Sequence, residues 1–468
     1  MAKSKDNYKL NFVGNNATEV TGSMTLLTIK DTQILVDCGM KQSSNIKKDF
    51  IDNSKLPKEI KPSKLSYVYI THLHADHLGL LPLLIKGGYE GSIFMPIGSK
   101  EIAKKMLIDS AYILDRTASM LEKTPYYDKQ DVWDTLSRIE ELDFNVKYTM
   151  NEEFSVELFH AGHILSSSQI LFHIVKEDGN ERRVLFTGDL GNIKNKPVWA
   201  EEFQSCKHAH VVVGECTYNK QERSVKSHTR DKDREKMRTI IDSTMLQGGK
   251  VLIPSFSYSR TQVILEELYT MYSNTKFPYN IIIDSPLSVA LTTLYEQLLD
   301  GEKKEYLSNI LKWENLILSS EHKVHERLIN LGKPMVIIAS SGFLDHGRSN
   351  SWIKNILPKK TSHVLFVGYA SPTSIAGKIK AGDKKAIKID GENYKNNCSI
   401  TCLNSFSSHM QYNDLLDYYK SIGAESIYLI HGELNGKLEF ANTLTDVLRK
   451  DNQTTRVIAT NKGTIGKF

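Results

Sequence analysis

The string THLHADHLG at residues 71–79 places three histidines and an aspartate within six positions, after the apolar run SYVYI and ahead of the helix-like LLPLLIKGG. This constrains the fold more than any other feature. On an extended segment His72 and His74 point the same way, whereas Asp76 and His77 turn aside as the helix begins. The spacing therefore offers one pair of donors to one metal ion and a second pair to another. Imidazole and carboxylate donors without thiolate suit zinc in an open, catalytic site rather than a closed structural one. A single histidine of this kind would read as a buried, hydrogen-bonded ring, but four donors at this spacing do not.

Two ions need more ligands, and strand ends deliver them to a common rim. His163 in FHAGHILSSS follows the strand FSVELF, Asp189 in FTGDLG follows RRVLF, and His431 in LIHGE follows SIYL. Each has glycine beside it, which lets backbone approach a crowded site. Taken singly, each also has an ordinary reading as a polar turn or a satisfied ring.

Short, often alternating β-type runs fill the first two hundred residues, with helical stretches expected from Ser99 to about Leu121 and from Asp128 to Leu142. From Val211 the runs become continuously apolar (HVVVGEC, KVLIPSF, YNIIIDS, PMVIIAS, HVLFVGY) and alternate with helical patterns, as in a parallel α/β sheet. Past about residue 390 the short-strand pattern of the N-terminal part returns, so the middle reads as an insertion. The expected division is a first domain over 1–208, an inserted domain over 209–392 and completion of the first domain over 393–468. Ser259 and Gln262 have the spacing of a capping box, and KDKDREKMR at 231–239 reads as a solvated helix face.

Composition removes other classes. With 40% apolar and 25% charged residues over 468 positions, disordered and fibrous chains are excluded and more than one domain is expected. Five cysteines without a CxxC pair argue against a disulfide framework or a thiolate metal site. No run of about 18 apolar residues occurs, and the start MAKSKDNYKLNF has no apolar core, so no membrane association and a cytoplasmic location are expected. The net charge of +5 permits a polyanionic partner without requiring one.

The chain resembles the metallo-β-lactamase-fold nucleases of the β-CASP family. The resemblance rests on LVDCGM (35–40), HLHADH (72–77), AGHILSS (161–167), FTGDLG (186–191), GECTY (214–218), IPSFSYSRTQ (253–262), DSPLS (284–288), ASSGFLDHGRS (339–349), VGYASPTS (367–374), SFSSH (405–409) and LIHGE (429–433). It covers most of the chain and is similar to the group containing the cleavage subunit of pre-mRNA 3′-end processing and its compact prokaryotic relatives. It implies an α/β fold, an αββα metallo-β-lactamase sandwich with an inserted parallel-sheet (β-CASP) domain. It also implies two Zn2+ ions, hydrolysis of single-stranded RNA and a possible homodimer. On this resemblance His72, His74 and His163 hold one ion, Asp76, His77 and His431 the other, and Asp189 bridges them. Asp37 orients ligands, and Glu215 tunes His409 as the general acid. Phosphate contacts would come from Ser340, Ser341, Gly342, Arg348 and Ser374.

Two departures stand out. The family continues after its SFSxH histidine with a small residue and aspartate, where this chain has Met410 and Gln411. Where the family resembles GYQAxGTxGR, this chain runs from Gly368 to Gly377 without the arginine, although Lys378 follows. The competing readings are a DNA-directed nuclease of the same family, a small-molecule hydrolase sharing HxHxDH, and an inactive scaffold subunit. His431 resembles the RNA-acting branch, the long insertion argues against the small-molecule enzymes, and a full set of seven ligands argues against the scaffold.

Overall fold

A computed structural model describes residues 7–43, 45–221, 229–382 and 386–468; residues 1–6, on which the reading of the N-terminal start partly rests, lie outside them. Among the described residues, no helix is long and apolar enough to cross a membrane. The chain forms two compact units. One runs to Lys196, resumes at Ala200 and is completed by Ser408–Phe468, and the other holds Pro197–Trp199 and the intervening residues up to Ser407.

The first unit is built on two seven-stranded mixed sheets. In one, Ile465–Lys467, Tyr8–Phe12, Thr25–Ile29 and Thr32–Val36 are antiparallel, and Tyr67–Tyr69, Ile93–Pro96 and Ile139–Leu142 continue in parallel. In the other, Arg456–Ala459, Ser426–Ile430, Val211–Glu215 and Glu181–Phe186 are parallel, and Ser168–Val175, Phe154–His160 and Tyr148–Thr149 are antiparallel. The period of two divides the second sheet's apolar residues between its faces. Val213, Val184, Phe186 and Ile430 join Leu27, Ile34 and Tyr69 of the facing sheet. Val212, Leu185 and Leu429 instead meet Leu415, Tyr419, Phe440 and Leu444, from the helices Tyr412–Ile422 and Leu434–Lys450. The helices Ser99–Met120 and Lys129–Ser137 pack beside the first sheet, completing an αββα sandwich.

The second unit has a six-stranded, wholly parallel sheet in the order Leu316–Ser319, Asn280–Asp284, Met335–Ala339, Lys250–Pro254, His363–Phe366 and Ser399–Cys402. Lys250–Pro254 and Met335–Ala339 are buried throughout, as strands covered on both faces must be.

Several sequence expectations are corrected. Val211–Glu215 lies between Glu181–Phe186 and Ser426–Ile430 in the first unit, not in the insertion, and Ser399–Cys402 belongs to the second unit. A buried parallel strand has the same apolar pattern in either sheet, so that pattern could not set the boundaries at 208 and 392. The stretch from Asp128 is helical only to Ser137, and Ile139–Leu142 then pairs with Ile93–Pro96. Ser259 has φ +69° and makes no side-chain cap, while Gln262 turns inward to Ser257 O and Thr292 Oγ1. Of the charged run, Arg234, with the preceding Arg230, pairs with buried Glu267, and Asp233 accepts from the backbone N–H groups of Asn404 and Ser405. That face of the helix therefore packs inward.

Candidate metal centre

The strands Thr32–Val36 and Tyr67–Tyr69 are adjacent and parallel, so their C-terminal ends bring Asp37 beside Thr71 and His72. Asp37 sits at φ +61° just past its strand. Two residues later, a Cβ on Gly39 would lie 1.6 Å from Asp76 O, so only glycine allows the two loops to touch. Thr71 donates through N and Oγ1 to Asp37 Oδ1 (2.9 and 3.1 Å), and Ser23 Oγ donates to Asp37 Oδ2 (3.2 Å). The same carboxylate takes His77 Nδ1 at 2.7 Å, which turns Nε2 toward the centre.

Four donors form a first group. His72 Nε2 is 3.1 Å from His74 Nδ1 and 3.6 Å from Asp189 Oδ2; His163 Nε2 is 3.4 Å from His74 Nδ1 and 3.7 Å from the same oxygen. A tetrahedral zinc site with bonds of about 2.0–2.1 Å separates its donors by about 3.3–3.4 Å, in the middle of this range. A second group comprises Asp76, His77 and His431. Asp76 Oδ2 is 3.4 Å from His431 Nε2 and 4.0 Å from His77 Nε2. Asp189 Oδ1 lies 3.5 Å from His77 Nε2, so the two oxygens of one carboxylate face the two groups. His77 Nε2 and Asp189 Oδ1 are buried without a hydrogen-bond partner. Buried lone pairs that converge without donors between them fit bound cations.

Electrostatics follow from the crowding. Burial, reinforced by neighbouring imidazoles, holds His72 and His163 well below the usual histidine value, so both are neutral. Burial also lowers His77, but Asp37 and Asp189 outweigh it and lift the ring to about 10, so a cation bound at Nε2 would displace a proton from that nitrogen. For Asp76 burial acts upward, yet the His431 hydrogen bond and the charge of His77 bring it below the carboxylate range. Burial raises Asp189 against the pull of His431 and His77.

His409 stands at the edge of this cluster with Nδ1 3.3 Å from Glu215 Oε1 and Nε2 4.0 Å from Asp189 Oδ2. Glu215 is fully buried and accepts from Leu190 N (2.6 Å) and Thr217 N (3.1 Å), so its carboxylate is fixed. Burial would raise Glu215, but the charge and hydrogen bond of His409 hold it below the ordinary glutamate value. The replaced residues do other work. Met410 is buried in the outer core, and Gln411 Nε2 donates to His409 O at 3.0 Å.

The structure thus brings Asp37, His72, His74, Asp76, His77, His163, Asp189, Glu215, His409 and His431 together within the first unit. Ser340, Ser341, Gly342, Arg348 and Ser374 lie in the second unit. There Arg348 is bound to Asp284 and to the carbonyls of Ser319 and Ser320, and fully buried Ser374 caps a helix through Gly377 N. Ser340 Oγ meets Ser285 Oγ at 2.7 Å.

Sequence reasoning passed over three supporting residues. Thr71 adjoins the motif and links Asp37 to His72 Nδ1 at 3.2 Å. Thr217, inside GECTY, places its hydroxyl 2.8 Å from His431 Nδ1. Fully buried Lys437 donates Nζ to the carbonyls of Ala17, Leu429 and Thr460, the segments around His431. A lysine on an amphipathic helix gives no hint of burial, and although the two threonines adjoin motifs, the groups their hydroxyls meet come from distant segments of the chain.

Residues 17–211 match the metallo-beta-lactamase superfamily, 261–379 the Beta-Casp domain, and 393–455 the Zn-dependent metallo-hydrolase RNA specificity domain. Ribonuclease TTHA0252 of Thermus thermophilus is 30% identical over 424 residues, covering 89% of this chain and 91% of that protein. Transcription termination factor FttA of Methanocaldococcus jannaschii is 27% identical over 94% of this chain and 69% of its own length. Integrator complex subunit 11 of Danio rerio is 25% identical over 90% of this chain and 68% of its own. A crystal structure of a protein of unknown function from Enterococcus faecalis V583 aligns over 98% of this chain and all of that one, with a TM-score of 0.52 and 13% identity, a likeness of fold. With the buried histidine and aspartate cluster beside Glu215 and His409, these matches establish that the chain belongs to the β-CASP family of metallo-β-lactamase-fold, metal-dependent hydrolases.

Proposed function

We propose that this protein is a zinc-dependent ribonuclease that hydrolyses phosphodiester bonds of single-stranded RNA in RNA processing or decay. The observation that carries this reading is Asp189, whose two oxygens face two separate donor groups while His409 stands 4.0 Å from one of them. The RNA specificity match and the ribonuclease relative support RNA as substrate.

His72, His74 and His163 would hold one zinc ion and Asp76, His77 and His431 another, with Asp189 shared. When bound, the ions supply charge that neutralises the phosphoryl oxygens and acidifies water for in-line attack. The chain's own residues do the rest. Asp37 would accept the hydrogen bond of His77 Nδ1–H, which leaves Nε2 to present its lone pair toward the centre. Glu215 accepts from His409 Nδ1, stabilises the imidazolium and fixes the ring. His409 Nε2 then gives its proton to the departing ribose oxygen as the phosphorus–oxygen bond breaks.

The test is cleavage of one internally labelled single-stranded RNA and its DNA counterpart, with zinc, with chelator, and by Asp76→Ala and His409→Ala variants. Loss of RNA cleavage in all three controls is the expected result. His409→Ala should lower the rate by about 10²–10⁴-fold with metal content unchanged. An internal ladder would indicate endonucleolytic action and terminal nucleotides exonucleolytic action. Preferential DNA cleavage, or fewer than about two zinc ions per active chain, would overturn the reading.

A further inference from the structure

Between the strands Thr32–Val36 and Tyr67–Tyr69 the chain carries six lysines, at 47, 48, 55, 58, 61 and 64, against three carboxylates. Residues 47–64 thus hold +3 of the chain's net +5. All six lysines are exposed, and among the described residues none of them makes an ion pair. Two of the three acids are engaged inside the protein. Asp49 accepts from Ser43 N and Oγ (2.5 and 2.7 Å), and Asp52 faces Lys41 at 3.2 Å, which leaves Glu59 to offset six ammonium groups. Elsewhere on the same unit Lys30, Lys104, Lys147 and Lys420 each face a carboxylate.

The backbone that bears the lysines is ordered. In the helix Ile46–Asn53, capped by Asn45, Phe50 turns inward against the Tyr126 ring, and Asn53 pairs both ways with the backbone of Lys41 at 2.8 Å. Lys47 and Ile51, one turn apart, are left on the outer face. Beyond the helix, Pro57 and Pro62 fix φ, turns close from Ile60 N to Pro57 O and from Lys64 N to Lys61 O, and buried Ile60 and Leu65 anchor them. Lysines 55, 58, 61 and 64 therefore recur at every third residue of a stiff ridge. One end of it adjoins the metal loops: Met40 N donates to Ala75 O at 3.0 Å, beside Asp76, and the next residue, Lys41, is the one Asn53 holds. The other end is the start of Tyr67–Tyr69, where Ser66 N bonds Gln33 O, and from there to His72 the chain covers roughly 20 Å. At about 3.4 Å per phosphate in a stacked strand, that length matches roughly six phosphates. Among the described residues, Ile51 is the one large apolar side chain exposed along the ridge, which therefore lacks the apolar face that a lipid surface would bury.

We propose that this ridge, from Lys47 to Lys64, docks the sugar–phosphate backbone of the substrate strand beyond the scissile bond. The inference rests on the RNA reading above and adds to it a grip outside the metal centre that is indifferent to sequence, because phosphates are neutralised and their counterions released whatever the bases.

The experiment measures binding of fluorescent icosauridine by full-length, zinc-loaded protein across a range of salt, in a His409→Ala background so that the strand survives. The ridge variant carries Lys55→Gln, Lys58→Gln, Lys61→Gln and Lys64→Gln. The control carries Lys30→Gln, Lys104→Gln, Lys147→Gln and Lys420→Gln, the same change of net charge at paired positions. The ridge variant should bind roughly tenfold more weakly, with a plot of log affinity against log salt shallower by about 2–3, while the control keeps the affinity and slope of the parent. The double variant Lys55→Gln, Lys58→Gln should show about half that change of slope and serves if the fourfold variant melts early. Equal losses in ridge and control variants, or no loss in either, would overturn the ridge. So would a ridge variant that loses binding to phosphatidylserine vesicles and keeps its grip on RNA. If the protein with His409 in place neither binds nor cuts the strand, the RNA reading itself fails; cleavage that persists while the ridge lysines make no difference sinks the ridge alone.

Discussion

Thr71 carries no charge, yet its hydroxyl reaches Asp37, His72 Nδ1 and His77 Nδ1. A group that fixes the outer nitrogens of two ligands sets where the inner nitrogens point, and losing such support costs about 10–100-fold in metal affinity. Thr71→Val, similar in volume, should therefore release zinc to a competing chelator at correspondingly lower chelator concentration, with an unchanged circular dichroism spectrum. Thr217→Val removes the hydroxyl at His431 alone and should weaken the ion held with Asp76 and His77 in preference to the other, read as metal content falling toward one per chain. Among the site residues, HLHADH was legible because its donors are contiguous. His163, Asp189 and His431 were legible as strand-end candidates, and only the resemblance distributed them between two ions. Thr71 was not legible: its role depends on Asp37, 34 positions before it in the chain, which only pairing of the two strands brings alongside.

The helix Leu434–Lys450 holds His431 indirectly. Lys437 gathers three buried carbonyls around its ammonium, including Leu429 O two residues before His431 and Ala17 O next to Asn16, whose carbonyl accepts from His431 N at 2.7 Å. Lys437→Ala would remove the ammonium from all three oxygens and leave Leu429 O to the N–H and hydroxyl of Thr460, a cost of about 1–3 kcal/mol. Differential scanning calorimetry should show the lower melting temperature, together with reduced metal content. A second element has a pH signature. His363 begins its strand with Nε2 3.0 Å from Thr401 Oγ1 on the neighbouring strand, and burial depresses it to about 4. An unfolded histidine titrates near 6.5, so between about pH 4 and 6.5 the unfolded chain binds the extra proton and stability falls as the solution is acidified. His363→Asn should flatten that slope in melting curves of the second unit by roughly one proton. At this scale the sequence misled where polar residues turn inward. Gln262 has capping spacing but is buried, and Arg230 and Arg234 look like surface charge but bracket Glu267.

Among the described residues the candidate metal donors all fall in the first unit. A ligand that binds only the folded form stabilises the unit that holds it, by about 2.7 kcal/mol at a hundredfold excess over its dissociation constant. Chelation should accordingly shift one of two calorimetric transitions down by several degrees and leave the other in place; a uniform shift of both would contradict that assignment. An α/β chain with a parallel insertion was readable from the apolar patterning of its strands, and the sandwich came from the resemblance, but the seams were not readable, since Val211–Glu215 and Lys250–Pro254 are both wholly buried strands of parallel character. Val211–Glu215 also has a place in the order of biosynthesis. His72, His74, His163 and Asp189 have all been translated by position 189, whereas His431 follows 242 residues later, an interval on the order of 10–50 s at ordinary elongation rates. Once Glu215 has been added, the strand's outer edge awaits Ser426–Ile430 for the rest of that interval, the kind of edge that invites pairing with other chains. The nascent protein thus owns one complete set of candidate donors long before the other, and a ribosome that stalls within the insertion leaves a half-assembled centre beside an adhesive sheet edge.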